Sequence, residues 1–112
     1  MIYIDIANHI KENIGTVTVR ELSKKFFVSP DYINRVFKKK YRCTTNQYII
    51  LMKIYNFEHL IDNGECLKNA CTLSGFGNYS NFIRTYKNYR GYPPGQYINN
   101  KENKKIHPRR NF

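Results

Sequence analysis

The chain has 112 residues, of which 41% are hydrophobic and 24% are charged. This is the size and composition of one ordinary folded domain, which excludes a large multidomain enzyme and a chain disordered throughout. Its 19 lysines and arginines against 8 acidic residues give a formal charge of +11, so a polyanionic partner is expected. The positive charge lies in two blocks, residues 31–53 with +5 and residues 84–112 with +7, around a segment that carries −2.

Membrane and metal sites are not indicated. No apolar run approaches the roughly 18 residues that span a bilayer, and the N-terminus lacks the order of a signal peptide, so we expect a cytoplasmic protein with no membrane partner. The cysteines Cys43, Cys66 and Cys71 show no C-x-x-C spacing. We therefore expect no structural disulfide, no metal site and no cofactor.

The first part of the chain predicts three helices. Isoleucines at every fourth position predict a helix over Ile2–Asn13. Thr18 begins a capping box, T-V-R-E, which predicts a short helix over 19–26. Ser29, followed by a proline at the first helical position, predicts another helix to about Lys40. Two short helices are thus separated by about three residues.

The second part predicts a long helix and three short ones. Thr44 begins a second capping box, followed by a broad apolar stripe, and predicts a helix over about 45–63. Stop signals at glycines then delimit helices over 67–74 and 78–89, and a proline pair starts a last one through Tyr97. The rest, residues 99–112, is basic and nearly free of apolar side chains, which predicts a flexible tail, either a solvated end or a phosphate-seeking arm.

One helix-turn-helix unit occurs twice, over about 19–40 and about 66–89. A shift of 49 residues aligns these pairs: Ile33 with Phe82, Arg35 with Arg84, Phe37 with Tyr86, Lys38 with Lys87, Gln47 with Gln96 and Tyr48 with Tyr97. A short helix, a tight turn and a second helix with outward Arg and Lys is the arrangement that places a recognition helix in the DNA major groove. An outward arginine there can donate two hydrogen bonds to guanine.

Three stretches carry a family resemblance: ELSKKFFVSPDYINRVFKKKY at 21–41, QYIILMKI at 47–54 and SGFGNYSNFIRTYKNYRGYPPGQY at 74–97. They resemble the DNA-binding region of the AraC/XylS-type bacterial transcription regulators. The resemblance implies an all-α unit of seven helices over 1–98, with two helix-turn-helix motifs joined by a long linker helix. It also implies a sequence-specific regulator whose partners are double-stranded DNA and RNA polymerase.

The resemblance further implies roles for individual residues. Base edges would be contacted by Asp31, Asn34 and Arg35 in the first unit and by Tyr79, Ser80, Asn81 and Arg84 in the second. DNA phosphates would be contacted by Ser29, Lys38, Lys39, Asn78 and Lys87. A linker helix of roughly 19 residues would span roughly 28 Å, close to one turn of B-DNA. The two recognition helices would then enter successive major grooves.

The chain departs from the family pattern at four positions. Phe27 stands where a turn glycine is frequent, Arg42 replaces a glycine before the linker helix, Lys53 replaces an arginine and Phe57 replaces an alanine. We expect the two bulky phenylalanines to change the core around the first unit and the linker. None of the four is expected to reach a base.

Other functional classes find less support. The histidines His9, His59 and His107 are isolated and no glycine-rich phosphate loop is present, so an enzyme is not expected. A basic helical protein that binds nucleic acid without sequence preference stays the alternative, because charge alone does not choose among polyanions. The first helix begins almost at residue 1, which favours a fragment of a longer regulator with a sensing domain, although Met1 also fits a small free-standing protein.

Overall fold

The computed structural model describes the backbone of residues 1–106 and the side chains of residues 1–101. This part of the chain is all helical, as predicted. Its seven helices are α1 (Ile2–Glu12), α2 (Val19–Phe26), α3 (Pro30–Tyr41), α4 (Thr45–Asp62), α5 (Leu67–Leu73), α6 (Tyr79–Arg90) and α7 (Pro94–Ile106). The predicted seven-helix fold class is confirmed. Among the described helices, none combines the length and apolar character needed to cross a membrane.

Side-chain caps fix where the helices begin. The hydroxyl of Thr44 accepts from the backbone N–H of Gln47 at 3.1 Å, and the Gln47 side chain accepts from the backbone N–H of Thr44 at 2.9 Å. At α2 the Thr18 hydroxyl accepts from the N–H of Glu21 at 3.1 Å, while the Glu21 carboxylate lies 3.7 Å from Nε2 of His9. The two threonine hydroxyls and the Gln47 side chain thereby satisfy N–H donors that a helix leaves unpaired at its start.

The chain divides into two compact units, Met1–Lys53 and Ile54–Phe112. In the first unit α1, α2, α3 and the start of α4 enclose a buried core: Ile6, Ala7, Ile10, Val17, Leu22, Ile33, Phe37, Tyr48 and Ile49. An aromatic cluster extends it. The Tyr41 ring lies 5.0 Å from Phe37, 4.8 Å from Tyr48 and 6.1 Å from Tyr3 between centroids. Apolar and aromatic packing therefore holds α3 in this unit.

The second unit buries a comparable set of side chains from the end of α4, α5, α6 and the start of α7. Phe82 lies at its centre, with ring centroids 4.8 Å from both Phe57 and Phe76. Phe57 and Phe82 are fully buried. Phe57 of the linker helix α4 is thus a core residue, but its aromatic partners Phe82 and Tyr86 belong to the second unit and not to the first, where the sequence also placed its effect.

The expectation for Phe27 is wrong. This side chain is 93% exposed, so it adds nothing to the core of the first unit. Phe27 ends α2 in the left-handed conformation, with φ of 58°, and Arg42 ends α3 in the same way with φ of 63°. Left-handed backbone is costly for residues with a Cβ, which explains why glycine suits both positions.

A buried polar network is the other feature of the second unit. Glu58 of α4 accepts hydrogen bonds from the Tyr86 hydroxyl at 2.6 Å and from Nε and Nη2 of Arg90, each at 2.8 Å. The Arg90 guanidinium also lies over the ring of Tyr55, 5.1 Å from its centroid. Burial and the bond to Glu58 raise the pKa of Tyr86 far above that of a free tyrosine. The network joins α6 to α4 through a bidentate ion pair, in which two nitrogens of the Arg90 guanidinium donate to the Glu58 carboxylate.

The last helix is longer than the sequence predicts. It continues past Tyr97 to Ile106, whereas a flexible tail was expected from residue 99. The Tyr97 hydroxyl donates to Asp62 at 2.8 Å, and the Lys101 ammonium lies 3.1 Å from the same carboxylate. These contacts come from successive turns of α7 and extend the helix beyond its apolar start. Residues 107–112 of the predicted tail lie outside the described part.

Candidate nucleic-acid interface

Helix α3 has one buried and one exposed face. Ser29 caps its N-terminus by accepting from the backbone N–H of Tyr32 at 3.1 Å, and Pro30 occupies the first turn. Ile33 and Phe37 are fully buried. Helical spacing then turns the opposite face outward. Its exposed members include four of the residues predicted to contact DNA: Asp31, Arg35, Lys38 and Lys39.

Arg35 is held by a neighbour on its own helix. Its guanidinium carbon lies 5.8 Å from the centroid of the Tyr32 ring, three residues earlier. This is the distance at which a cation is attracted to the face of an aromatic ring. Tyr32 is not among the residues predicted from the sequence to contact DNA, although its i, i+3 spacing from Arg35 was a usable signal.

Asn34 stands apart from the other predicted base contacts. Its side chain is half-buried, and its amide oxygen accepts from the backbone N–H of Thr45 at 3.1 Å. That N–H belongs to the first turn of α4, where donors lack a partner within the helix. Asn34 thereby ties α3 to the start of α4. Bidentate pairing with adenine would need this same oxygen.

Helix α6 shares three features with α3: a side-chain cap at its N-terminus, a buried face and an exposed face. Asn78 caps it by accepting from the backbone N–H of Asn81 at 2.8 Å, and Gly91 ends it in the left-handed conformation. Phe82 and Tyr86 are fully buried. The exposed residues of this helix include all five predicted contacts: Tyr79, Ser80, Asn81, Arg84 and Lys87.

Arg84 is also held by the residue three positions before it. Its Nη2 donates to the amide oxygen of Asn81 at 3.0 Å. Asn81 and Tyr32 are 49 positions apart, as are Arg84 and Arg35. In both units the same position of the repeat therefore contacts the outward arginine, through a hydrogen bond in one and an aromatic ring in the other.

The predicted phosphate contacts fall into two groups. Ser29 and Asn78 are the exposed caps of α3 and α6, and each keeps a donor besides the oxygen that serves the helix. Helix N-termini carry partial positive charge, which favours a neighbouring anion. The other group is the exposed lysines Lys38, Lys39 and Lys87 on the last turns of the two helices.

The remaining titratable side chains of the described residues were compared with the donor sets that hold metal ions. Across the described residues no group of three or more His, Cys, Asp or Glu side chains is placed to hold a metal ion. The three cysteines are free thiols, and burial raises the pKa of Cys43 and Cys71. Burial also lowers the pKa of the Lys53 ammonium. Lys53 has a contact with another group of the protein.

Comparison with known proteins identifies relatives of the chain. The family described as "Helix-turn-helix domain" matches residues 22–100. The uncharacterized HTH-type transcriptional regulator YtdP of Bacillus subtilis is 25% identical over 95 residues, covering 84% of this chain and 12% of the relative. The Msm operon regulatory protein of Streptococcus mutans is 23% identical over 84 residues, covering 74% of this chain and 30% of the relative. The chain thus spans less than a third of either curated relative.

Solved structures show the same fold. The C-terminal domain of AraT, a response regulator from Geobacillus stearothermophilus, matches with a TM-score of 0.79 and 17% identity, covering 88% of this chain and 84% of that one. A protein of unknown function from Listeria innocua matches with a TM-score of 0.71 and 18% identity, covering 85% and 92%. At these identities the likeness establishes the fold alone.

Proposed function

Because the chain belongs to the AraC-type helix-turn-helix family of transcription regulators, we propose that it binds double-stranded DNA sequence-specifically through α3 and α6. Each helix enters a major groove and reads base edges with its outward face. Arg35 and Arg84 each pair with the O6 and N7 atoms of a guanine. Asp31, Tyr79, Ser80 and Asn81 contact neighbouring bases.

One observation carries this proposal: the same exposed arginine recurs at the same position of two capped helices. Arg35 and Arg84 lie on the second helix of their helix-turn-helix motifs, opposite a fully buried apolar face. Each is contacted by the side chain three residues earlier. A solvated lysine or arginine needs no such restraint, whereas a base-reading guanidinium benefits from losing fewer side-chain conformations on binding.

The first experiment is a randomised-site selection with the wild type, Arg35→Ala and Arg84→Ala. Each variant is expected to lose about 1–3 kcal/mol of specific binding and to relax preference at one or two base positions. Lys68→Ala serves as the control, because this exposed lysine on α5 lies outside the proposed contacts. Full discrimination in either arginine variant would show that its arginine does not read a base.

Phosphate contacts predict a steep dependence of affinity on salt. The log–log slope should correspond to roughly 6–10 neutralised phosphates. Lys38→Ala or Lys87→Ala should each flatten that slope by about one, with little change in base preference. An affinity independent of salt would remove the electrostatic part of the proposal.

The alternative, nucleic-acid binding without sequence preference, rests on the charge of +11. A gel shift with duplex DNA, single-stranded DNA and double-stranded RNA separates the two functions. We expect selective binding to one duplex sequence in the presence of excess competitor duplex. Equal affinity for all three ligands would favour the alternative.

Three finer expectations complete the proposal. The two recognition helices of one chain enter successive major grooves, which a footprint of about two turns of DNA would support. The chain spans only 12% and 30% of its two curated relatives, and we propose that it belongs to a longer parent chain with a sensing domain. RNA polymerase is the expected protein partner, and a pull-down by the DNA-bound protein tests it.

A further inference from the structure

We propose that Tyr32 sets the base specificity of the first recognition helix by positioning Arg35. This inference rests on the proposed function, because it assigns to Tyr32 a role in how that arginine meets a guanine. The observation behind it is the 5.8 Å contact between the guanidinium and the ring on the exposed face of α3.

The place of Tyr32 suits this role. It lies at the third position of α3, and the N-terminal residues of a recognition helix are those that approach base edges. Its backbone N–H is bonded to Ser29, which fixes the first turn independently of the side chain. Its side chain is 37% exposed, so the ring lies at the surface beside Arg35 and outside the core.

The chemistry of the contact also suits guanine recognition. A free arginine side chain loses much rotational freedom when it pairs with a base, and a partner that already restrains it lowers that loss. A cation–π contact attracts the charge of the guanidinium to the ring face and needs no hydrogen-bond acceptor. Tyr32 therefore restrains Arg35 without placing an acceptor oxygen in competition with guanine O6 and N7.

The second unit supports the inference by achieving the same restraint differently. Asn81, at the position of the repeat that Tyr32 occupies in the first unit, holds Arg84 through a hydrogen bond of 3.0 Å. This restraint is a hydrogen bond to an amide oxygen, whereas the restraint on Arg35 is the attraction of its charge to an aromatic ring. Different neighbours thus restrain the two arginines before DNA binds. Each neighbour thereby influences the base preference in the half-site that its own helix contacts.

The test is a double-mutant cycle read by base preference. Tyr32→Phe keeps the ring, Tyr32→Leu keeps apolar bulk without it, and Tyr32→Ala removes both. Each is made in the wild type and in Arg35→Ala, and discrimination between guanine and the other bases is measured at the position that Arg35 reads. Circular dichroism and urea unfolding confirm that the variants fold, which is expected because the ring lies outside the core.

Tyr32→Phe should keep wild-type discrimination, while Tyr32→Leu and Tyr32→Ala should lose about two- to fivefold, the range expected of an exposed cation–π contact. In Arg35→Ala the same changes should have no further effect. Wild-type discrimination in Tyr32→Ala, with relaxed discrimination in Arg35→Ala, would overturn the inference and leave the proposed function intact. An equal loss in both backgrounds would show that Tyr32 acts without Arg35, which also overturns it.

If Arg35→Ala itself keeps full discrimination, the assignment of Arg35 in the proposed function fails, and the role of Tyr32 fails with it. Asn81→Ala provides the matched variant in the second unit. It should change preference only at the bases read by α6.

Discussion

The two units expose corresponding faces of α3 and α6 but support these two helices by different contacts. Arg90 ties α6 to α4 through Glu58, and the position 49 residues earlier is Tyr41, which packs α3 within an aromatic cluster. Similarly, Tyr86 donates to Glu58, where the first unit has Phe37. The repeated pattern therefore specifies the outward face, and the inward support is free to differ.

This difference predicts unequal sensitivity to substitution. Truncating a half-buried aromatic side chain such as Tyr41 costs its lost contacts plus a small cavity term, because neighbours and solvent fill part of the space. Removing one partner of a buried ion pair lowers the free energy of unfolding more strongly, because the remaining charge stays buried without an opposite charge beside it. The largest stability effects should therefore be found in the second unit.

Glu58→Ala should cost about 3 kcal/mol of unfolding free energy, the lower end for a broken buried pair because the Arg90 side chain remains 25% exposed. Tyr41→Leu in the first unit should cost about 1 kcal/mol. Urea unfolding measures both. The double variant Glu58→Leu with Arg90→Leu should lose less than Glu58→Ala alone, because no charge remains unpaired. A smaller loss in Glu58→Ala than in Tyr41→Leu would contradict the comparison.

Tyr86→Phe makes the second unit resemble the first at this position. It should cost about 1–2 kcal/mol at pH 7, because Glu58 loses a buried hydrogen-bond donor. The folded protein raises the pKa of Tyr86, so its contribution is complete below about pH 10 and is lost as the pH rises further. The slope is about 1.4 kcal/mol per pH unit for one tyrosine. Urea unfolding between pH 7 and pH 11 should show a shallower decline in Tyr86→Phe, and identical slopes would refute the role of this hydroxyl.

Asn34 is predicted from the sequence to contact a base, whereas in the structure its amide oxygen accepts a hydrogen bond within the first unit. The corresponding position of the second unit is Ile83. Asn34→Leu should cost about 1 kcal/mol by removing the acceptor for the Thr45 N–H. Asn34→Asp keeps an acceptor oxygen and should preserve stability.

Base selection by Asn34→Asp completes this test. If Asn34 only stabilises the first unit, Asn34→Asp should keep the wild-type base preference. It should bind every sequence more weakly, because the added negative charge repels DNA. A change of preference at one base position would favour the base contact that the family resemblance implies for Asn34.

The smallest expected effect concerns the C-terminal ends of α3 and α6, where Arg42 and Gly91 are 49 positions apart and both left-handed. Gly91→Ala should cost about 1 kcal/mol from backbone strain alone, because an added Cβ meets nothing within 4 Å. Arg42→Gly should gain about 0.5 kcal/mol, since relief of strain exceeds the entropy lost by glycine. Thermal unfolding measures both, and a stabilising Gly91→Ala would exclude this explanation.

The sequence was sufficient for the bounds of the first six helices because their starts and stops are signalled locally. Thr18, Ser29, Thr44 and Asn78 each cap a helix with their own side chain, and these signals lie within three residues of the groups that they satisfy. The exposed positions of α3 and α6 also followed from helical spacing. Local patterns are the part of a fold that a single sequence states most directly.

What the sequence did not predict depends on contacts between distant segments. Glu58 and Arg90 are 32 positions apart, and nothing in their surroundings marks them as partners. Asn34 lies on the outward side of its helix by spacing, yet its oxygen reaches Thr45 on the next helix. Phe27 was expected in the core because it is large, whereas its backbone conformation in the turn leaves it exposed.

The acidic end of α4 has a practical consequence for handling the protein. The Asp62 carboxylate accepts a hydrogen bond from the Tyr97 hydroxyl and forms an ion pair with the Lys101 ammonium. Two successive turns of α7 are therefore attached to α4. Shortening the chain after residue 98, where the sequence places the domain boundary, would delete the second anchor. A fluorescent protein or affinity tag is therefore better fused beyond residue 106, so that the fusion junction leaves both anchors intact.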